Sequence, residues 1–483
     1  IKAFFSRFPG VYALFYGIFF KYNEITGVMK MKTLIHSGRV IDPANQIDSR
    51  LNLLIENGKI ACATREMPDA DVKIDASGKI VCPGFIDIHM HEDPVEPDGR
   101  IYSDEEKSIF HCMLRMGVTT AVGGNCGLNC CDPGDYLDLV DRDGAPVNVA
   151  MLAGHAYFRE TAGATDKYGP TTQVQREEMA RRIAVALDRG CAGVSYGIRY
   201  VPGIDFKELL ATAEPCKKSG KMIAAHVRSD AEEVYDAARE LMETGKALGL
   251  PTQISHIGSM AGFGQMPTFL EMVDEARANG LDVACDCYPY YAFSTTIGST
   301  TYDPGWLERY HCDYDAIELC EGKYKGMRCT KEIFEEMRRD MPECMTVCYV
   351  MKESDVDYAF NHPNVMLASD GILSHGQGHP RAAGTFPRLI AEFARKGKIT
   401  LTDAITRMTA MPANRLGLIS KGRLNAGADA DIAVFDPNRI ADCATFAQPV
   451  LPPVGIDYVL IGGEIAAKDC RAVNDRLGRS IRK

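Results

Sequence analysis

Residues 83–93 read PGFIDIHMHED, a short apolar run that ends in two histidines one residue apart. In an extended strand residues i and i+2 point to the same face, so the imidazoles of His89 and His91 can converge on one ion. A strand that delivers two such side chains at its C-terminal end is what a barrel enzyme uses, because that end carries the active site. An isolated His-x-His is weak by itself, and the rest of the chain has to support it.

Seven further apolar runs follow: TTAVGGN (119–125), VNVAMLAG (147–154), AGVSYG (192–197), MIAAHV (222–227), TQISHI (252–257), DVACDCY (282–288) and VMLASDG (365–371). Between them lie REEMARRIAVALDRG, AEEVYDAARELMETGKALG and PTFLEMVDEARANG, with helical apolar spacing and a glycine near each end. Alternating apolar runs and amphipathic helices predict parallel β/α units, and eight strands match an α/β fold of the (β/α)8 TIM-barrel type. The stretch 291–362 is too long for one connection and predicts an insertion over the barrel mouth. Before the barrel, TLIHSGRVID, LNLLIENGKI and DVKIDASGKIV alternate β-rich runs with turn residues, and the same grammar returns in GRLNAGADADIAVFDP and from Ile456 to Lys468. A small β-sandwich domain formed from both terminal segments is therefore expected, from 29–82 and 410–483, with the barrel at 83–409 inserted between them.

Fifty-four Lys and Arg against 65 Asp and Glu give a net charge of -11, which repels nucleic acid and anionic membranes. A small-molecule substrate is expected; homo-oligomerisation is left open. Seventeen cysteines in 483 residues are too sparse for a disulfide scaffold, and several sit in apolar strands, so a reducing cytoplasm is expected. The apolar run from Pro9 to Phe20 is shorter than the roughly 20 residues of a membrane span, with no small-x-small cleavage site after it. Residues 1–28 are read as an extension outside the fold, ahead of a credible start at Met29 or Met31.

Four more ligand-type residues fall at predicted strand ends: Cys126, His226, His256 and Asp370. Each alone is more often a core or surface residue, but six together at the ends of five predicted strands are not readily accidental. Imidazole and thiolate suit zinc, and a mixed N/S/O set marks a catalytic rather than a closed structural site. A second reading stays open for Cys126, that of a buried thiol loop or cluster with Cys130 and Cys131, although NCGLNCC contains no Cys-x-x-Cys pair.

PGFIDIHMHED, GGNCG, IAAHVRSD, QISHIGS, CYPY, ASDG, HPRAAGTFPR and AGADADIAVFDP, spread over roughly residues 32–440, resemble the D-aminoacylase (N-acyl-D-amino-acid deacylase) family of the amidohydrolase superfamily. The resemblance implies one or two Zn2+ ions. It implies that His89 and His91 help bind one metal, that Cys126, His226 and His256 form the tighter site, and that Asp370 is the catalytic carboxylate. Many relatives bridge two metals with a carboxylated lysine, and the fourth run, AGVSYG, offers none. Tyr200, Tyr288 and Arg381 are assigned by the same resemblance to a substrate α-carboxylate, which a guanidinium and two phenols can hold. Packing remains open for the tyrosines and an internal salt bridge for Arg381. Arg228, two residues after His226, is a further candidate on the same strand face. Two departures stand out: the family commonly carries lysine where this chain has Gly258, and SYGIRY places Tyr196 and Arg199 where relatives have smaller or apolar residues. The expected reaction is zinc-dependent hydrolysis of an N-acyl-D-amino acid or similar carboxylate-bearing N-acyl compound, with zinc activating water and Asp370 as general base and acid. The alternatives are a cyclic amide or imide hydrolase of the hydantoinase or dihydroorotase type, and a catalytically silent assembly protein.

Overall fold

A computed structural model describes residues 31–483, so the expected extension at 1–28 lies outside the described residues. The chain opens with five strands, β1 (Lys32–Asp42), β2 (Ile47–Glu56), β3 (Lys59–Thr64), β4 (Val72–Asp75) and β5 (Ile80–Pro83). Asn57 and Gly58 join β2 to β3 with φ of 57° and 73°, the left-handed pair that an Asn-Gly hairpin turn requires.

The parallel strands come next: β6 (Phe85–Asp87), β7 (Val118–Gly123), β8 (Asn148–Met151), β9 (Ala153–Gly154), β10 (Gly193–Gly197), β11 (Met222–His226), β12 (Thr252–Ile254) and β13 (Val283–Cys287). Between β13 and β17 (Val365–Leu367) the chain builds β14 (Phe293–Thr296), β15 (Ile317–Leu319) and β16 (Met345–Cys348), an antiparallel sheet in the order β14-β16-β15. A two-stranded hairpin, β18 (Leu373–Ser374) and β19 (Gln377–Gly378), follows, and β20 (Ile432–Phe435), β21 (Ile456–Ile461), β22 (Glu464–Lys468) and β23 (Arg471–Ala472) end the chain.

Each of the eight apolar runs contains a parallel strand, with β8 and β9 sharing the third. β6, β7 and β8 pair in parallel, as do β9 through β13 with β17, and a parallel bridge between Met90 and Gly371 links the two ends. The continuous apolar character of these runs has a physical cause: both faces are covered. Ile86, Ile88, Val122, Ala150, Leu152, Ala224, Met366 and Ala368 pack with one another, while the alternating residues Phe85, Val149, Val194, Ile223, Ile254 and Leu367 pack in a separate, larger core. The helices between the strands match the sequence spacing. Gln173–Asp188 starts on a Thr172–Gln175 capping box, and Val234–Leu248 ends on Gly249 at φ 69°.

The terminal strands join into one hydrogen-bonded nine-stranded sheet, because β5 pairs antiparallel with β20 and so stitches the two chain ends together. Its core holds Ile35, Val40, Leu53, Ile74, Ile432 and Leu460. Among the described residues no helix is long and apolar enough to cross a membrane.

Candidate metal centre

The six ligand-type residues meet at the C-terminal ends of the parallel strands. His89 and His91 follow β6, Cys126 lies in the turn after β7, His226 is the last residue of β11, His256 follows β12 and Asp370 follows β17. Their donor atoms form two groups, His89, His91, Cys126 and Asp370, then Cys126, His226 and His256, each with all atoms within 4.8 Å of one another. Cys126 belongs to both. Its Sγ lies 3.4 Å from His89 Nε2 and 3.4 Å from His256 Nε2, while Asp370 Oδ1 lies 3.4 Å from Nε2 of both His89 and His91.

These donors are held at a conformational cost. Cys126, His256 and Asp370 have φ of 53°, 36° and 49°, a left-handed backbone that costs side-chain-bearing residues of order 1–3 kcal/mol and persists where the surroundings enforce it. The neighbours are tight: a Cβ on Gly197 would lie 2.1 Å from the Cys126 carbonyl oxygen. The Asp286 carboxylate accepts from the His256 backbone N–H at 2.7 Å and from Gln253 Nε2 at 2.7 Å, and Ser259 Oγ sits 3.1 Å from His256 Nδ1. Asp87 Oδ1 accepts from the backbone N–H of His89 and of Ser369, tying β6 to β17. Sequence reasoning did not single out Asp87, Asp286 or Ser259. The usable signal was a lone carboxylate inside each of two apolar strands, where burial is expensive unless it orients something.

The ionisable groups of the site hold one another charged: against burial, Cys126 and Asp370 raise the imidazoles of His89 and His91 above their ordinary value, the latter to about 9. Burial alone raises the Cys126 thiol, but the imidazoles of His89 and His256 outweigh it and hold the group well below its ordinary value, toward thiolate. Burial likewise raises Asp370, yet Arg381 and then His256, His89 and His91 bring it well below the usual carboxylate range. Burial and the neighbouring His256 lower His226. Burial pushes Asp87 up to about 7. His89 and His226 each bury an Nδ1 with no hydrogen-bond partner among the described residues. Separations of 3.4 Å fit N and S donors that lie about 2.0–2.3 Å from a shared tetrahedral ion, whose edges are about 3.5 Å. The donor set therefore fits zinc.

A small cavity of about 20 Å³ opens beside these groups, with Tyr200, His226, His256, Asp370 and Arg381 in its wall. Arg381 is 2% exposed; its Nη1 lies 2.9 Å from Asp370 Oδ2, and its guanidinium stacks on Tyr288 at 4.7 Å. Tyr200 packs on His226 at 4.6 Å between ring centres. Tyr288 reaches the site through Arg381, its hydroxyl pointing to Met351 Sδ at 3.9 Å. Arg228 is a correction. Its Nε and Nη2 bind Glu240 at 2.8 Å each, and Nη1 and Nη2 donate to the Pro202 and Ile204 carbonyls, so it braces the loop after β10 instead of facing the cavity. β11 ends at His226, so the two-residue alternation assumed for Arg228 no longer applies. The insertion contributes Phe293, Ser294, Thr295, Thr301 and Tyr310 to the cavity wall. A larger cleft, about 950 Å³, opens at the other strand ends beside Met222, Ala284 and Met366 and holds none of the six donors.

The amidohydrolase family model matches residues 259–467. N-acyl-D-glutamate deacylase of Alcaligenes xylosoxydans xylosoxydans is 32% identical, over 90% of this chain and 93% of its own. D-aminoacylase of the same organism is 30% identical, over 93% of this chain and 97% of its own. The crystal structure of N-acyl-D-glutamate deacylase from Bordetella bronchiseptica, a complex with zinc and a phosphonate that mimics the tetrahedral intermediate, superposes with a TM-score of 0.83 at 30% identity, covering 94% of this chain and all of that one. The chain belongs to the D-aminoacylase, or N-acyl-D-amino-acid deacylase, family of metal-dependent amidohydrolases.

Proposed function

We propose that this chain hydrolyses the amide bond of an N-acyl-D-amino acid, or a similar carboxylate-bearing N-acyl compound, with zinc as its metal. The observation that carries the reading is the shared sulfur: Cys126 Sγ stands 3.4 Å from an imidazole of each donor group. His89, His91, Cys126, His226 and His256, with Asp370, would hold one or two ions. In architectural terms, the parallel strands are read as a (β/α)8 barrel over 83–409 with an insertion at 291–362, and the Met90–Gly371 bridge supports closure. The terminal strands are read as a small β-sandwich domain from 29–82 and 410–483.

Bound zinc supplies Lewis acidity, which polarises a scissile carbonyl and brings the pKa of water from about 15.7 towards about 7. The chain's own groups do the rest. Asp370, kept ionised and oriented by Arg381, takes the proton of the attacking water on its carboxylate and returns it to the departing nitrogen. An amide nitrogen leaves poorly without that proton. The buried Arg381 Nε has no acceptor among the described residues and can meet a substrate α-carboxylate, with the Tyr200 hydroxyl in the same wall. Seventeen unpaired thiols, Cys126 among them, suit a reducing cytoplasm.

The test is amine release by the zinc-loaded chain from paired N-acyl-D- and N-acyl-L-amino acids. D-selective release is expected. Ring-opening of hydantoins or dihydroorotate without release from any N-acyl-amino acid would overturn the reading.

A further inference from the structure

We infer that the cleft at the N-terminal ends of the parallel strands is a second ligand site, separate from the metal centre, and that it holds a phosphate monoester with an apolar part. At about 950 Å³ the cleft has the volume of a small-molecule pocket, which is about 300–1,000 Å³. Barrel enzymes carry out their chemistry at the opposite strand ends, and none of the six donors lies here. Amide hydrolysis at the metal centre therefore does not account for this lining.

The charge of the lining runs against that of the chain. In a protein of net charge -11, the wall carries Lys221, Arg277, Arg415, Arg482 and Lys483 and a single carboxylate, Asp282. Lys221, Arg277 and Lys483 donate to the carbonyl oxygens of Leu187, Val283 and Gly417 at 2.6, 2.6 and 2.7 Å, and none of the three forms an ion pair among the described residues. Arg482 does, donating from Nη2 to Asp138 and Asp141 at 2.6 and 3.0 Å. Arg415 is the buried member, its side chain 7% exposed. Its Nη1 donates to Asp282 Oδ1 at 2.6 Å, while Nε and Nη2 meet no acceptor among the described residues. Burial lowers the pKa of Arg415 and of Lys221, and Arg277 and Lys483 respectively push in the same direction, so these cations stand close enough to repel one another. An anion in the cleft offsets both the repulsion and the desolvation of Arg415.

The number of cations favours phosphate over a carboxylate. A phosphate monoester carries a charge of about -1.5 to -2 near neutral pH and three strong acceptor oxygens, which guanidinium groups meet two at a time and a lysine meets as a point charge. Beneath the cations the floor is apolar: Met222, Met366 and Leu416 are buried in one cluster, with Ala284 and Met411 packed against it. A ring or alkyl group on the phosphate covers that floor, which a bare phosphate leaves wet.

The measurement is calorimetric titration of the full chain with phenyl phosphate and with inorganic phosphate, at low and high salt. Phenyl phosphate should bind about tenfold tighter than inorganic phosphate, and both more weakly as salt rises. Phosphate can also coordinate zinc, so the titration is repeated on Cys126→Ala, where binding in the cleft should persist. Arg277→Glu, at an exposed position, should weaken binding about tenfold or more and leave amine release unchanged. Lys221→Gln should weaken it in the same direction. Arg415→Gln should do so too, and the two other variants carry the test where this buried change does not fold. Absence of binding in Cys126→Ala, or binding undiminished in folded Arg277→Glu and Lys221→Gln, overturns the inference, and equal affinity for the two probes overturns its apolar part. The deacylase reading stands or falls separately, on amine release.

Discussion

Replacing Arg381 with methionine tests how the site holds its base. The guanidinium is 2% exposed and 2.9 Å from Asp370 Oδ2, so the variant leaves a carboxylate in a buried site without its principal cation. Breaking a buried pair from one side costs about 3–5 kcal/mol of folding stability. Losing a buried charge contact to the substrate costs about 2–5 kcal/mol of binding, which at about 1.4 kcal/mol per decade is a fall in kcat/KM of about 30-fold to several thousand-fold. The sign of the pH effect follows from the cause. Arg381 favours the ionised form of Asp370, so its removal raises the Asp370 pKa and leaves the base protonated over more of the acid range. The acidic limb of kcat/KM should therefore move to higher pH. The assay is amine release as a function of pH, with urea unfolding in parallel. A variant within about threefold of wild type, the scale of an exposed ion pair, with its acidic limb unmoved would refute the reasoning.

Three further outcomes follow from the same geometry. Asp286→Asn weakens the acceptor of the His256 backbone N–H and should lower zinc affinity by about 10–100-fold with little change in fold, read by metal competition and circular dichroism. Gly197→Ala places a Cβ against the Cys126 carbonyl oxygen at 2.1 Å and should displace that turn, lowering metal content before it lowers thermal stability. Burial lowers the pKa of His111, whose Nε2 lies 3.2 Å from Asp475. The unfolded chain therefore takes up that proton first, near pH 6.5, and the folded chain resists it, so His111 makes stability fall as pH drops through about 6.5. His111→Gln should flatten that part of the urea-unfolding profile between about pH 8 and 5, and an unchanged slope would remove His111 as its source.

The parallel strands were legible because both of their faces are buried, which writes them as unbroken apolar runs such as VNVAMLAG and MIAAHV. The donors were legible because five of them end or closely follow such runs, and Cys126 because a thiol in a glycine-rich turn is out of place in a core. Supporting groups were harder to see. Asp286 reads as one polar letter in DVACDCY until the fold sets its carboxylate under His256. The error at Arg228 has a simple cause, since strand alternation was carried two residues past the strand end. Asp230 and Arg309 meet only when the loop after β11 packs against the insertion, a contact across 79 residues of chain that no local pattern encodes.

The central claim is that Cys126 is the sulfur shared by a catalytic zinc site. Zinc-to-protein ratio by mass spectrometry, measured on wild type and Cys126→Ala beside amine release from N-acyl-D-amino acids, tests it most directly. The account predicts zinc bound to the wild type, lost or sharply reduced in the variant, and amine release lost with it. Full zinc occupancy and undiminished release in Cys126→Ala would contradict it.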